Sequence, residues 1–548
     1  MRSLSRLAQR TFDLVILGGG ITGACVARDA ALRGLRVALV EKRDFGGATS
    51  GASSKLIHGG LRYLRNLEFR LVRESLRERR LWSIHAPHLV YPLPMLLPMY
   101  RGAANSPLQM RAGLAAYDLL GFDRNRVPDP DQRLPGHRML SPAEVLTLQP
   151  ALHDEGLLGG ALFYDCQMFS PERLEIECLL SATAAGAEVA NYAAAVGFVR
   201  EGARVVGVEV EGALPGEGRF EVRAPLVVNA AGPWVDLLLD TLGEGRSSTH
   251  LVRSKGVHIL TRKLIGESAL MMAAGTGHFF LLPWRGLTLI GTTDELYEGH
   301  PDDFRVTEQD IAGLIETVNT YYPAAALRRE DVLHSYGGLR PLVDDDGTSA
   351  KKGSYAKSRR SEVCDHAKTD GIEGLLSAIG GKWTTSRALA EQVVDLALKK
   401  LGRAAGPCLT RSVPLPGGAI GNFRRFVGEL RAKHPDAPGE LVEHLARNYG
   451  ARAGEVLALA AADPALAAPL RPDLPEIGAE VVHAARTEWA VELSDVVLRR
   501  TGLGQVGDPG LRALEAAARL LGGERGWDRA EALRQIDRVL DRYAQAAA

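Results

Sequence analysis

The chain has no surplus of either charge. Its 548 residues carry 66 Lys and Arg against 66 Asp and Glu, so net charge does not steer it toward nucleic acid, and no nucleic-acid-binding signature is present. Cysteines are few and scattered: Cys25, Cys166, Cys178, Cys364 and Cys408. Odd in number and without paired spacing, they offer neither a disulfide framework nor a zinc site, and they fit a reducing compartment. No apolar run reaches the roughly 18 residues of a membrane-spanning helix. Residues 1–9 carry Arg2 and Arg6 but lack an apolar core and a cleavage site, so a short basic tail is expected there, not a secretory signal. Asp344-Asp345-Asp346-Gly347 lacks the spacing of a calcium loop, and no metal is expected. Internal repeats are absent too. What remains is the composition of an ordinary soluble globular protein, 24% charged, with length for two or three domains.

Against that plain background one stretch stands out. The apolar run Leu14 to Leu17 leads into Gly18-x-Gly20-x-x-Gly23, a helix of small residues follows, and a second apolar run, Val37 to Val40, ends in Glu41. Gly18 permits a tight turn, Gly20 lets backbone amides approach a pyrophosphate, and Gly23 lets helix and strand pack closely. The helix start supplies unpaired N–H groups and a positive dipole end. Glu41 accepts hydrogen bonds from a ribose and suits a free 2′-hydroxyl, which favours FAD or NAD over NADP. The next segment, Asp44 to Lys55, is dense in Gly, Ser and Thr and runs directly into Leu56-Ile-His-Gly-Gly-Leu-Arg-Tyr-Leu64. Small hydroxyl residues there can wrap closely around a prosthetic group.

Further along, residues 86–160 are rich in proline, with Pro128, Pro130, Pro135 and Pro142 breaking the helical stretches. Residues 89–99 form an apolar, proline-broken stretch. Residues 107–120 read as an amphipathic helix flanked by Arg101, Arg111 and Arg124, a pattern that suits either a lipid interface or the protein's own core. Residues 171–187 look helical and residues 188–192 extended. Residues 204–210 and 220–223 suggest a hairpin turning at 215–218. An apolar strand ends in Asn229-Ala-Ala-Gly232. Several short strands between 250 and 300 point to an antiparallel substrate-side sheet. Another strand, 375–379, runs into Gly380-Gly381-Lys382 and a helix reaching Lys400. After Pro414-Leu-Pro-Gly-Gly418 the strand signal stops, and a separate helical domain is expected.

These segments together resemble the FAD-dependent glycerol-3-phosphate dehydrogenases, quinone-linked members of the D-amino-acid-oxidase-like flavoprotein superfamily. The resemblance rests on Gly18 to Gly23, Ala48-Thr-Ser-Gly-Ala-Ser-Ser-Lys-Leu-Ile-His-Gly-Gly-Leu-Arg-Tyr-Leu64, Asn229-Ala-Ala-Gly-Pro-Trp234, Lys255-Gly-Val-His258, Ile290-Gly-Thr-Thr-Asp294, Gly337-Gly-Leu-Arg-Pro-Leu342 and Gly380-Gly-Lys-Trp-Thr-Thr385. The glycine fingerprint belongs to the whole superfamily, whereas the Ser-Ser-Lys-Leu-Ile-His-Gly-Gly-Leu-Arg-Tyr and Gly-Gly-Lys-Trp-Thr-Thr blocks are far narrower. Two departures stand beside them: Phe169-Ser-Pro replaces the usual acidic pair before Arg173-Leu174, and Ser386 replaces the usual aromatic.

The resemblance implies an α/β fold in which a Rossmann-like FAD-binding domain (11–85, 161–245 and 335–405) is interleaved with an antiparallel-sheet substrate domain (86–160 and 246–334). An all-helical C-terminal domain (415–548) follows. It implies FAD contacts from Gly18, Gly20, Ile21, Thr22, Gly23, Glu41 and Lys42, and from Thr49, Ser50, Ser53, Ser54, Lys55, His58, Gly59, Gly60 and Leu61. Val189, Ala230, Ala231 and Gly232 join them, as do Gly380, Gly381, Lys382, Trp383 and Thr384. Arg62, Tyr63, His258, Arg340, Lys382 and Thr384 are the expected substrate contacts. Arg62 and Arg340 suit a phosphate dianion, His258 suits the hydroxyl proton, and Lys382 suits a cation beside the flavin. His258, Arg340 and Lys382 are the expected catalytic set.

The implied reaction is oxidation of glycerol 3-phosphate to dihydroxyacetone phosphate, with hydride passing from C2 to flavin N5 and electrons passing on to membrane quinone. The expected setting is peripheral, on the cytoplasmic face of the membrane, as a homo-oligomer. An oxidase that reduces oxygen to hydrogen peroxide, a superfamily amine or amino-acid oxidase, and a flavin-bound scaffold without turnover are the competing readings.

Overall fold

The computed structural model describes residues 2–102, 106–243, 247–275, 277–343 and 361–545; the stretch 344–347 lies outside them. A six-stranded sheet forms the nucleotide side. Leu14–Leu17 is followed outward by Val37–Val40 and Glu188–Ala190 on one flank, and by Val227–Asn229, Leu375–Gly380 and Ser361–Asp365 on the other. All pairings are parallel except that of the edge strand Ser361–Asp365. Strand order therefore reverses beside Leu14–Leu17, and a crevice for a ligand opens beyond its C-terminal end.

Both faces of this sheet are covered, which is why its strands read as unbroken apolar runs. Helices Ile21–Leu32, Pro171–Ala184 and Ser386–Lys400 pack on one face. A three-stranded sheet, Ala193–Glu201, Arg204–Gly212 and Arg219–Arg223, covers the other with helix Val235–Asp240. The hairpin in that small sheet is where the sequence places it. Its first strand, Ala193–Glu201, is half-exposed and shows no alternation of apolar and polar residues, so nothing in the pattern announces it.

The second body is a ten-stranded sheet. Val332–Val343 pairs along its length with Leu251–Thr261, and Val90–Tyr100 with Leu157–Met168. Two expected boundaries are corrected by this pairing. Cuts at 160/161 and 334/335 would pass through Leu157–Met168 and Val332–Val343, both of which belong to the large sheet. The stretch 89–99 is also neither irregular nor a surface segment, because it forms an interior strand. Pro92, Pro94 and Pro98 fall on alternate positions, so their missing N–H donors share one edge. One neighbour pairs with this strand throughout, while the other meets it only at Met95 and Leu96.

Residues 423–545 are helical, as expected, and hold two hydrophobic clusters of their own. Ion pairs tie them to the cofactor side. Arg173 pairs with Glu488 at 2.5 and 3.0 Å. Arg500 grips both oxygens of Asp44 at 2.8 and 2.7 Å, with Arg499 beside it at 2.5 Å. Burial alone would raise the Asp44 pKa, but Arg500 and Arg499 pull it down to about 2. Removing one partner from such a buried pair costs about 3–5 kcal/mol.

Candidate active site

A continuous groove runs from Glu41 to Lys382, with Gly20, Thr49, Ser50, Ala230 and Gly232 lining both its halves. Its floor is made of atoms that tolerate no added side chain. A Cβ on Gly18, whose φ is +102°, would lie 2.6 Å from Ala230 O, and one on Gly23 would lie 1.9 Å from Gly18 O. Gly20 caps the Ile21–Leu32 helix without a side-chain bond, leaving backbone amides at the groove. Ser50 Oγ takes the Ile21 N–H at 2.9 Å. Glu41 accepts from Gly19 N at 2.7 Å and Arg43 N at 2.9 Å, and a carboxylate keeps further lone pairs for ribose hydroxyls. Lys42 sits 4.1 Å over the Trp234 ring and pairs with Asp302 at 2.6 Å, closing the far end. This donor set and narrow floor fit the adenosine diphosphate half of FAD.

At the other end, Trp383 Nε1 donates to Ser50 O at 3.3 Å, and Gly380 and Gly381 adopt positive φ. Four expected cofactor residues, Gly23, Lys55, Gly59 and Val189, do not line the groove. Val189 is buried in the core, and Ala195 and Val196 line the groove instead. Gly59 faces Asp165, to which its N–H donates at 3.1 Å. Lys55 points away from the groove toward Glu172, 3.6 Å distant, and lies 4.6 Å over the Trp284 ring. Gly23 acts through helix packing.

Arg62, Tyr63, His258, Arg340, Lys382 and Thr384 all line one cavity at the flavin end, walled by Met95, Phe163, Met271 and Phe280 from the large sheet. Arg62 and Lys382 both approach the Tyr63 ring, at 4.8 and 4.3 Å. Arg340 donates to Thr292 Oγ1 at 2.7 Å and Thr293 O at 3.1 Å, and pairs with Asp294 at 3.4 Å. Asp294 also accepts from Ser254. His258 is buried, 2.8 Å from Ser54 Oγ through Nε2, and stacks on Tyr336 with centroids 5.1 Å apart. Burial, then the Arg340 and Lys55 charges, lower its pKa to about 3. At neutral pH the ring is therefore uncharged, and burial and the two cations oppose its protonation.

Several supporting residues escape a reading of motifs. Ser75 Oγ accepts from Lys382 Nζ at 2.6 Å and donates to Leu71 O at 2.7 Å, holding the ammonium from the Phe69–His85 helix. Asp165 takes the Gly59 N–H together with Arg79 at 2.5 Å and Tyr117 OH at 2.8 Å, fixing the loop that carries Arg62. Nothing in one sequence marks Ser75, Tyr117 or Asp165 as a support of the site.

The comparisons with known proteins agree with this geometry. Residues 13–396 match the FAD dependent oxidoreductase family, and residues 408–532 match the C-terminal domain of alpha-glycerophosphate oxidase. A glycerol-3-phosphate dehydrogenase of Synechocystis sp. is 39% identical, covering 98% of this chain and 97% of its own. A D-erythritol 1-phosphate dehydrogenase of Brucella abortus is also 39% identical, over 90% of this chain and 94% of its own. Among solved structures, the glycerol-3-phosphate dehydrogenase of Bacillus halodurans complexed with FAD superposes with a TM-score of 0.79 at 28% identity, covering 99% of this chain and 96% of that one. With matches spanning both bodies and the helical domain, the chain belongs to the FAD-dependent glycerol-3-phosphate dehydrogenase family.

Proposed function

We propose that this protein oxidises sn-glycerol 3-phosphate to dihydroxyacetone phosphate and passes the electrons to a membrane quinone. The observation that carries the reading is the cavity where Arg62, Arg340 and Lys382 meet a neutral His258 at the flavin end of the groove. Bound FAD supplies the acceptor for the hydride leaving C2. Arg62 and Arg340 hold the phosphate by charge-assisted bonds, Tyr63 and Thr384 orient the polyol, and His258 takes the hydroxyl proton once the bound dianion offsets the Arg340 charge that, after burial, lowers the ring's pKa. Ser54 fixes that ring. Lys382, held by Ser75, keeps a positive charge close to the flavin end.

Anaerobic mixing of the FAD-loaded protein with glycerol 3-phosphate should bleach the flavin absorbance within one turnover, and a flavin that stays oxidised refutes the reading. Quinone reduction faster than oxygen uptake supports the dehydrogenase, whereas rapid peroxide formation without quinone reduction makes it an oxidase. The similarity to a D-erythritol 1-phosphate dehydrogenase supports a second reading, a four-carbon polyol phosphate. Comparing kcat/KM for the two phosphates decides between them.

Attachment to a membrane surface is part of the proposal. Among the described residues no helix is long and apolar enough to cross a bilayer. Helix Pro107–Leu120 buries Met110, Leu114 and Tyr117 but turns Leu108 and Leu119 outward, 77% and 74% exposed. Phe122, Leu67 and Phe69 are exposed as well, in the helix's own continuation and in the segment it packs beside. Arg65, Arg70, Arg111 and Arg126 accompany them on exposed positions. Apolar side chains flanked by arginines suit an anionic lipid surface. Leu119→Glu with Phe122→Glu should release the protein from vesicles containing phosphatidylglycerol while leaving dye-linked activity intact; undiminished binding counts against this face.

A further inference from the structure

Three consecutive residues of the cofactor loop converge on one stacked pair of rings. Ser53 O accepts from Tyr336 OH at 2.9 Å, Ser54 Oγ lies 2.8 Å from His258 Nε2, and Lys55 Nζ lies 5.3 Å from the centroid of the Tyr336 ring. Tyr336 and His258 stand opposite each other on the paired strands Val332–Val343 and Leu251–Thr261, which is why their rings stack. One phenol ring is thus shared by the imidazole and the ammonium.

Lys55 is held there firmly. It is 2% exposed, and its φ of +56° lies in the left-handed region that long side chains rarely adopt. Such a backbone persists where its surroundings enforce it, and here Lys55 O accepts from Met168 N at 2.7 Å. The ammonium sits 4.6 Å over the Trp284 ring, and its paired carboxylate, Glu172, is 3.6 Å away, longer than a charge-assisted hydrogen bond. Aromatic faces attract a cation without neutralising it. The charge is therefore only partly compensated, and in buried surroundings its field reaches its neighbours.

Other charged and titratable groups face this assembly. Arg340, paired with Asp294, comes from the Tyr336 strand, as does His334. Glu172 comes from helix Pro171–Ala184, and Arg285 follows strand Gly277–Trp284. The substrate cavity adds Arg62, Lys382, Asp165, His58 and His278. Arg340 and then Lys55 are the charges that, after burial, oppose protonation of His258. Arg340 is offset when phosphate binds. Lys55 stands outside the cavity lining, so its charge persists with substrate in place.

We infer that Lys55 is a positioning residue for proton abstraction: its ammonium, resting on the ring that His258 stacks on, sets how readily His258 accepts the substrate's hydroxyl proton. The inference rests on the proposed reaction. As hydride leaves C2, the hydroxyl O–H bond breaks and its proton passes to His258. A fixed cation beside the stack keeps solvent from protonating the ring before substrate arrives, and it favours release of the proton afterwards.

The test is the pH profile of flavin bleaching when the FAD-loaded protein is mixed anaerobically with saturating glycerol 3-phosphate. The rate should fall on the acid side as His258 becomes protonated in advance. Lys55→Met should move that acid limb up by about one pH unit, whereas Lys55→Arg, which keeps the charge, should leave it in place. Lys55→Met with Glu172→Gln strands no carboxylate and should move the limb in the same direction, so it decides the matter should the single variant fail to fold. The substrate's own ionisation is common to every protein compared. A purely structural role would lower the rate equally at all pH values. An acid limb that coincides in the parent and the double variant, or that moves as far in Lys55→Arg as in Lys55→Met, overturns the inference alone. A parent flavin that glycerol 3-phosphate reduces at no pH overturns the proposed reaction, and the inference with it.

Discussion

Removing Arg340 should do two separable things, and the geometry says how to separate them. Its guanidinium meets Thr292, Thr293 and Ser254 at 2.7, 3.1 and 3.2 Å, and Asp294 at 3.4 Å. If it also holds the substrate phosphate, Arg340→Ala forfeits a charge-assisted bond of about 1.5–3 kcal/mol, which is about ten- to 150-fold in kcat/KM. The same change takes the Arg340 partner from Asp294, whose side chain is only 6% exposed. That costs about 1–3 kcal/mol of stability. Arg340→Ala with Asp294→Asn removes the stranded charge, so thermal stability should recover while efficiency with glycerol 3-phosphate stays low. Dye-linked assays with glycerol 3-phosphate and with glycerol, alongside denaturation of each variant, supply the comparison. Glycerol lacks the phosphate and should lose little more in either variant. Equal losses on both substrates, or efficiency restored by Asp294→Asn, would show that Arg340 supports the fold or the hydride step and does not bind phosphate.

Ser75→Ala removes the acceptor that Lys382 reaches at 2.6 Å; kcat/KM should fall about tenfold with flavin content unchanged, Ser75→Thr should restore part of it, and parent-like kinetics in the alanine variant would mean that Lys382 is placed by other contacts. Glu41→Arg puts a bulky cation where Gly19 and Arg43 amides are bound, so the ratio of flavin to protein absorbance after purification should drop, and an unchanged ratio would remove Glu41 from the cofactor site. His88 gives a pH effect whose sign is fixed. Its ring is fully buried, both nitrogens lack a hydrogen-bond partner among the described residues, and burial followed by the Arg173 and Arg447 charges lowers its pKa to about 3. The unfolded chain takes up this proton below about pH 6.5 and the folded one does not until about 3, so the neutral ring's contribution is present above that window and is lost as pH falls through it, by about 2 kcal/mol at pH 5. His88→Phe should therefore gain about that much on the parent between pH 8 and pH 5 in denaturant titrations, and a gap that does not change with pH would contradict the buried neutral ring.

The nucleotide half of the fold was open to reading because its constraints are local. Gly18 and Gly23 are dictated by contacts within a few residues of the turn they form, and the buried parallel strands write themselves as apolar runs. The substrate side was harder. Val90–Tyr100 carries three prolines and reads as broken, and only the neighbouring strands reveal why a sheet tolerates them there. The narrow motifs did bring Arg62, Arg340 and Lys382 to one cavity, with His258 beside them. What motifs cannot supply is the side chain that holds the motif: Ser75 is 307 residues from Lys382, and Asp165 is 106 from Gly59. Lys55 shows the opposite error. It sits inside a cofactor-loop motif, yet the left-handed backbone there, φ 56°, turns its side chain toward Glu172.

The Asp44 clamp bears on how the protein is made. Asp44 opens the loop that lines the cofactor groove, yet the arginines that neutralise it come 455 and 456 residues later in the chain. While the ribosome is still synthesising the middle of the molecule, the fingerprint glycines have emerged and the loop beside them lacks its counter-charges. A recombinant fragment ending with the oxidoreductase region would stay in that state for good, with Asn191 still able to meet Asp44 at 2.9 Å but both guanidinium groups gone. Such a fragment is therefore expected to retain less FAD than the full chain, and equal flavin content in the two would show that the clamp does not hold the cofactor loop.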